Sequence, residues 1–275
     1  MPLMFIIFPG LGSTEKHFKL NDVQGTFLNN SNFLPQLRKL GKVHVVDCNW
    51  HNLSYYDVDD KEEQHLYKDQ IDFTKSELHI PSICEATYHR LRDFKGKFVL
   101  IAHSIGSFAS YYFSQQYSSR CAASFLIDAS AWGKFDINPR EHRRLIDGCK
   151  GVTNKQIQRL IQQTKTFDKR AFNKLRDIVA GLLERQMPRS AKTLKVKTVS
   201  FRNLQLKTTP GGSKMSEHEV DVLLNMEAYF YNHNPTKYLT VWLLNKTHSP
   251  HWQKESRDHI LETIRCQLAL IQKKS

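Results

Sequence analysis

Long apolar runs are missing from this chain of 275 residues. The longest, such as Leu3 to Phe8, cover about a third of the ~20 residues a membrane-spanning helix needs, so an integral helical membrane protein is excluded. Glycine and proline are sparse, at 12 and 9 residues, too few for a collagenous or linker-rich chain. Cysteine is scarce and unpatterned. Cys48, Cys84, Cys121, Cys149 and Cys266 are odd in number, and no two stand in a C-x-x-C spacing. That argues against a disulfide framework and a structural zinc site, so no metal is expected. The opening Met-Pro-Leu-Met-Phe-Ile-Ile-Phe-Pro-Gly has no basic region and no small-residue cleavage site, so it does not read as a signal peptide. Reduced thiols and a cytoplasmic, intracellular location are the resulting expectation.

Hydrophobic residues make up 40% and charged residues 24% of the chain, which suits a folded protein rather than a disordered one. The length fits one large α/β domain, or a domain with an insertion. The net charge is +13, and it is unevenly spread. Between Lys134 and Lys207 stand 19 basic and 6 acidic residues. This segment holds the whole excess, so a nearly neutral body carries a basic insert. Such a patch can attract anionic lipid, nucleic acid or an acidic substrate; it can equally be a solvated helical face.

Six short apolar runs read as strands: Leu3–Phe8, Val43–Asp47, Phe98–His103, Ala123–Asp128, Val196–Phe201 and Leu239–Leu244. Continuous apolar runs of this length suit strands buried on both faces of a parallel sheet. Helical spacing fills the gaps, as in Ile83, Thr87, Leu91 and Phe94, in Phe172, Leu175, Val179 and Leu182, and in Ile260, Ile264, Leu268 and Ile271. Strands alternating with helices predict an α/β fold: a doubly wound, mostly parallel sheet. From about Phe135 to Arg189 the alternation stops, and helices alone are expected. The division is a core of 1–134 and 190–275, with 135–189 as a basic helical insertion.

Three segments carry chemistry. In Ile101-Ala102-His103-Ser104-Ile105-Gly106-Ser107 a buried strand runs through a small residue into x-Ser-x-Gly and then a helix. A tight strand–turn–helix demands small residues two before and two after the serine, and Ala102 and Gly106 meet that demand. The turn presents the serine hydroxyl at the carboxyl edge of the sheet, beside a helix N-terminus that favours developing negative charge. Phe8-Pro9-Gly10-Leu11-Gly12-Ser13 follows the first strand, where backbone donors for an oxyanion would sit. The N–H groups of Leu11 and Ile105 are the candidate pair. Leu244-Asn245-Lys246-Thr247-His248-Ser249-Pro250-His251-Trp252 follows the last strand. A serine needs a base, and His248, nearer the strand end, is preferred to His251.

In this order the three segments resemble the α/β-hydrolase fold superfamily, over nearly the whole chain from Leu3 to the last helix. Phe8-Pro9-Gly10-Leu11-Gly12-Ser13 looks like its H-G-x-G-x-S loop, with Pro9 replacing His. Ala102-His103-Ser104-Ile105-Gly106 looks like its G-x-S-x-G elbow, with Ala102 replacing the first Gly. His248-Ser249-Pro250-His251-Trp252 looks like its G-H-x-P-H stretch, in which the first histidine is catalytic, with Thr247 replacing Gly. By the same resemblance the chain starts at the family's third strand, and the helical insertion matches the family's cap, which roofs the active site.

The acid departs from the family pattern. It usually follows the penultimate strand, yet no Asp or Glu occurs from Arg185 to Ser216, and Asn203 sits near the expected place. Some branches place the acid one strand earlier. Asp128 fits that position, and Glu217 is the fallback. The resemblance therefore implies a serine hydrolase, esterase- or lipase-like, cleaving an ester or thioester through an acyl-enzyme. Ser104 is its nucleophile, His248 its base, Asp128 its acid, and Leu11 and Ile105 its oxyanion hole; no cofactor is implied. The expected partner is a small-molecule or lipid ester. Two rival readings are a catalytically silent binding protein and a binder of anionic lipid or nucleic acid through the basic insert, which contains no recognised nucleic-acid motif.

Overall fold

The computed structural model describes residues 1–10, 33–46, 79–130, 139–164, 169–187, 193–208, 214–246, 250 and 254–273. Six strands form its sheet: β1 (Leu3–Phe8), β2 (Lys42–Val45), β3 (Lys97–His103), β4 (Cys121–Ile127), β5 (Thr198–Leu204) and β6 (Tyr238–Leu244). The order across the sheet is β2-β1-β3-β4-β5-β6, and every neighbouring pair is parallel.

The strand sequences explain this arrangement. Alternate side chains point to opposite faces, and here both faces are apolar. Met4, Ile6 and Phe8 of β1 join Phe98, Leu100 and Ala102 of β3 in one core. Leu3, Phe5 and Ile7 join Val99, Ile101, Phe125, Val199 and Phe201 in the other. A sheet buried on both sides needs helices on both sides. Helices α2 (Ile80–Leu91), α3 (Gly106–Gln116) and α7 (Glu217–His233) supply Ile80, Ile83, Phe108, Phe113, Met226 and Phe230 to the first core. Helices α1 (Phe33–Arg38) and α8 (Lys254–Gln272) supply Phe33, Leu34, Leu37, Ile260, Ile264 and Leu268 to the second. No helix among the described residues is long and apolar enough to cross a membrane.

Between β4 and β5 the chain forms α4 (Pro139–Gly148), α5 (Asn154–Thr164) and α6 (Lys169–Glu184), with no strand among the described residues. Leu145, Cys149, Ile157, Leu160, Leu175, Val179 and Leu183 are buried. Arg140, Arg143, Arg144, Lys155, Arg159, Arg170, Lys174 and Arg176 are exposed. Gly181 lets α6 press on α4, since a Cβ there would lie 2.6 Å from the Leu145 carbonyl oxygen. The Gln186 Oε1 accepts the Ile80 N–H at 2.7 Å, tying the end of this segment to the start of α2.

Five of the six strands differ from the sequence expectation at one end or both, the expected end of β2 at Asp47 lies outside the described residues, and the ends of β5 and β4 bear on the site. β5 runs past Phe201, because Arg202, Asn203 and Leu204 pair with Trp242, Leu243 and Leu244 of β6. A charged residue inside a strand masks its continuation in the sequence. Arg202 is only 3% exposed and is buried with its partner: its Nε donates to Glu227 Oε1 on α7, and its guanidinium also donates to the Ala129 carbonyl. Glu227 Oε2 accepts from Tyr238 Oη at 2.8 Å and Thr240 Oγ1 at 2.6 Å. β4 ends at Ile127 rather than Asp128, because Asp128 turns away at φ 42°.

Candidate active site

The chain winds from β1 outward to β2, then crosses back to β3 on the other side of β1. In a doubly wound sheet this reversal opens a crevice at the carboxyl ends of the strands, where ligands bind. Gly10 follows β1 and Ser104 follows β3, so both lie at that crevice. A Cβ on Gly10 would meet His103 Nδ1 at 2.7 Å and Ser104 Cβ at 3.0 Å. The loop after β1 thus passes directly against the serine.

Ser104 has φ 51°, a left-handed conformation that costs a non-glycine residue roughly 1–2 kcal/mol. Its surroundings over-determine it. The Ser104 N–H donates to the Ile127 carbonyl at 3.1 Å. The Ser104 carbonyl accepts from Ser107 N at 3.2 Å and Ser130 N at 2.9 Å, and from Ser107 Oγ at 2.7 Å. Ser107 Oγ also donates to the Ser130 carbonyl at 3.0 Å. The small-residue requirement is explicit at Gly106, whose Cβ would stand 2.2 Å from the Phe8 carbonyl oxygen and 2.6 Å from that of Pro9. Ala102 is fully buried. Helix α3 begins at Gly106 with Ile105 as N-cap, and no side chain among the described residues caps it. Its first-turn amides and dipole therefore favour an anion at this end of the sheet.

Asp128 occupies the neighbouring strand end. His103 pairs with Ile127, so Ser104 and Asp128 take the next positions along adjacent strands. The Asp128 N–H donates to the Phe201 carbonyl at 2.8 Å, and its Oδ1 accepts the Asn203 N–H at 3.4 Å. Burial disfavours the Arg202 charge, but Glu227, Tyr238 and Asp128 outweigh it and raise the Arg202 pKa. Asp128 therefore feels a buried guanidinium as well as a backbone donor.

Glu217 is exposed in the first turn of α7. Leu11, His248 and His251 lie outside the described residues. The structure thus brings Ser104, Ile105 and Asp128 together at the ends of β3 and β4, with Gly10 in contact. Three further residues take part in this edge of the sheet. Ser107 and Ser130 hold the serine turn, and Asn203 bonds the backbone of Lys246. Their signal was slight, since serine and asparagine are ordinary loop residues.

No family model matches this sequence, and no curated protein matches it. Solved structures do. RedJ, a thioesterase of the prodiginine biosynthetic pathway in Streptomyces coelicolor, aligns with a TM-score of 0.53 and 17% identity, over 97% of this chain and 90% of its own. MenH from S. aureus aligns at 0.53 and 13% identity, over 98% and 94%. A serine hydrolase of carbazole degradation, the CarC enzyme, aligns at 0.52 and 12% identity, over 98% and 92%. Identities this low speak for architecture, and they agree with the parallel sheet and its flanking helices: the chain has the α/β-hydrolase fold.

Proposed function

We propose that this protein is a serine hydrolase that cleaves an ester or thioester through an acyl-enzyme. One observation carries the reading above others. Ser104 holds a strained φ of 51° at the crevice of the sheet, and strain of this kind persists where the surroundings impose it, often at functional sites. In the proposed reaction the Ser104 Oγ forms a bond to the substrate carbonyl carbon while His248 takes its proton. The carbonyl oxygen becomes an oxyanion facing the N–H groups of Leu11 and Ile105. Its collapse expels the alcohol or thiol, which takes the proton from His248. Water then attacks the acyl-enzyme with the same base and releases the acid and Ser104. Asp128 orients His248 and balances its transient charge. Thioesterase and serine hydrolase among the structural neighbours favour the same reaction class.

In this reading α4–α6 form a cap over the site and shape the acyl pocket. Their exposed arginines and lysines would favour an anionic acyl substrate or an anionic surface. The test is turnover of a graded series of p-nitrophenyl esters and acyl thioesters by the wild type and by Ser104→Ala, His248→Ala and Asp128→Asn. Each substitution is expected to lower kcat by about 10³-fold or more for the serine and histidine, and less for the aspartate. Unchanged rates in Ser104→Ala would remove the proposal.

A second reading, a catalytically silent binding protein with this fold, draws on Asn203, an amide where related folds place a carboxylate. Tight ligand binding by a wild type that turns over none of the series would favour it.

A further inference from the structure

The ends of β5 and β6 are stitched together by two asparagines working in opposite directions. Asn203 Nδ2 donates to the Lys246 carbonyl at 2.6 Å, and Asn203 Oδ1 accepts the Lys246 N–H at 2.9 Å. In return, Asn245 Oδ1 accepts the N–H groups of Leu206 at 2.8 Å and Lys207 at 3.0 Å. Asn245 itself sits at φ 53°, a conformation asparagine tolerates better than most residues. The chain thus leaves β6 through a kink that is pinned from both sides.

Asn203 also reaches the other half of the site. Its N–H donates to Asp128 Oδ1 at 3.4 Å. One residue therefore touches the carboxylate proposed as the acid and the backbone two residues ahead of His248. The chemistry of the side chain matters here. A primary amide offers one donor and one acceptor side by side, the complement of a single residue's C=O and N–H. Aspartate at this position has no donor for the Lys246 carbonyl and would face it with a second negative oxygen. The amide is accordingly suited to holding a backbone, a task a carboxylate cannot do.

We propose that Asn203 is a positioning residue of the hydrolytic site. It fixes the backbone of Lys246, and with it the departure of the segment carrying His248, relative to Asp128. This rests on the reading of Ser104, His248 and Asp128 as the catalytic set. It also accounts for the missing carboxylate after β5: that position is occupied by the clamp, and the acid stands one strand earlier.

A merely structural Asn203 and a positioning one differ in what they change. Loss of a structural contact lowers stability and leaves the reactivity of each folded molecule alone. Loss of positioning lowers Ser104 reactivity in molecules that remain folded, because small misplacements of reacting groups are costly in rate. The experiment measures the second-order rate of Ser104 modification by a fluorophosphonate in the full chain, for wild type, Asn203→Ala and the isosteric Asn203→Asp. Thermal unfolding, and kcat and KM on a p-nitrophenyl ester, are recorded alongside.

The expected result is labelling of the wild type and slowing by about 10-fold or more in both variants. The loss should fall on kcat with KM little changed. Asn203→Asp should retain a cooperative unfolding transition, which keeps the test valid where Asn203→Ala folds poorly. Equal labelling rates in all three proteins, with only a lower unfolding midpoint in the variants, would overturn the positioning role and leave the hydrolase reading standing. Faster labelling in Asn203→Asp would overturn it differently, by showing that a carboxylate serves better there. A wild type that does not label would take away the hydrolase reading itself, and this inference with it.

Discussion

The end of β3 and the ends of β5 and β6 lie on the same edge of one sheet, yet they are held by different forces. At β3 close packing adds to the backbone and serine hydrogen bonds that hold the turn. Gly106 presses on the Phe8 carbonyl and Gly10 on Ser104, Ile105 is fully buried, and Ser104 is kept at a strained φ. At β5 and β6 the holding is by side-chain amides on backbone groups, in partly exposed surroundings. The difference follows from what each end must do. A backbone strained by a kcal/mol or two relaxes unless neighbours block every escape, and close-packed atoms block best. A loop that leaves the sheet has few such neighbours, and directional hydrogen bonds fix it instead.

The largest effect that bears on this contrast comes from the buried ion pair between β5 and α7. Arg202 and Glu227 are nearly inaccessible, so Arg202→Met leaves a buried carboxylate with only its Tyr238 and Thr240 donors. A loss of about 3–5 kcal/mol is expected, measured by urea unfolding, and much of it should return in Arg202→Met/Glu227→Met. A double variant no more stable than the single would contradict this description of the network. Next in size is Gly106→Ala. Its methyl meets backbone at 2.2 Å, which no rotamer can relieve, so a loss of about 2–3 kcal/mol is expected together with loss of Ser104 reactivity. A wild-type-like unfolding midpoint would show that the packing at β3 is looser than described.

Smaller effects sharpen the comparison. Ser216 and Glu219 form a reciprocal cap at the start of α7. The Ser216 N–H and hydroxyl hold the Glu219 carboxyl below its ordinary range. A depressed folded-state pKa contributes stability that is present above the unfolded pKa, about 4.3, and lost as pH falls through the folded value. Ser216→Ala should therefore cost about 1 kcal/mol near neutral pH, and the penalty should shrink in acid. A penalty independent of pH would point to the hydroxyl alone. Smallest is Ser104→Gly, which relieves the positive φ. It should raise stability by about 0.5–1 kcal/mol while abolishing turnover. A loss of stability would mean that the hydroxyl, rather than the turn, is what the fold needs.

The sequence disclosed the parts of the fold governed by packing. The inner strands β1, β3, β4 and β5 appear as apolar runs because both faces of the sheet are covered there, and the serine turn appears because sterics restrict Ala102 and Gly106 to small residues. Parts governed by pairing were harder to see. Arg202 hides the last residues of β5, since a buried charge looks like an exposed one until its partner on α7 is known. Helix α1 is six residues long, too short to show a helical period. Helix α7 is marked at its start by Ser216-Glu217-His218-Glu219, which spells a capping box. At the site, Ser104 and Ile105 follow β3 and Asp128 follows the neighbouring β4, while Leu11 and His248 fall outside the described residues. In the sequence Asn203 stands out only as an amide where a carboxylate is expected. Its role lies in a bond to a backbone 43 residues away, and no local pattern encodes such a bond.

The claim on which the rest depends is that Ser104 is an activated nucleophile. It is tested most directly by incubating the folded protein with a fluorophosphonate and mapping the adduct by peptide mass spectrometry, with Ser104→Ala in parallel. The account predicts one phosphonate per chain, on the peptide containing Ser104, and none in the variant. A folded wild type that takes up no phosphonate, or takes it up equally in Ser104→Ala, would contradict it.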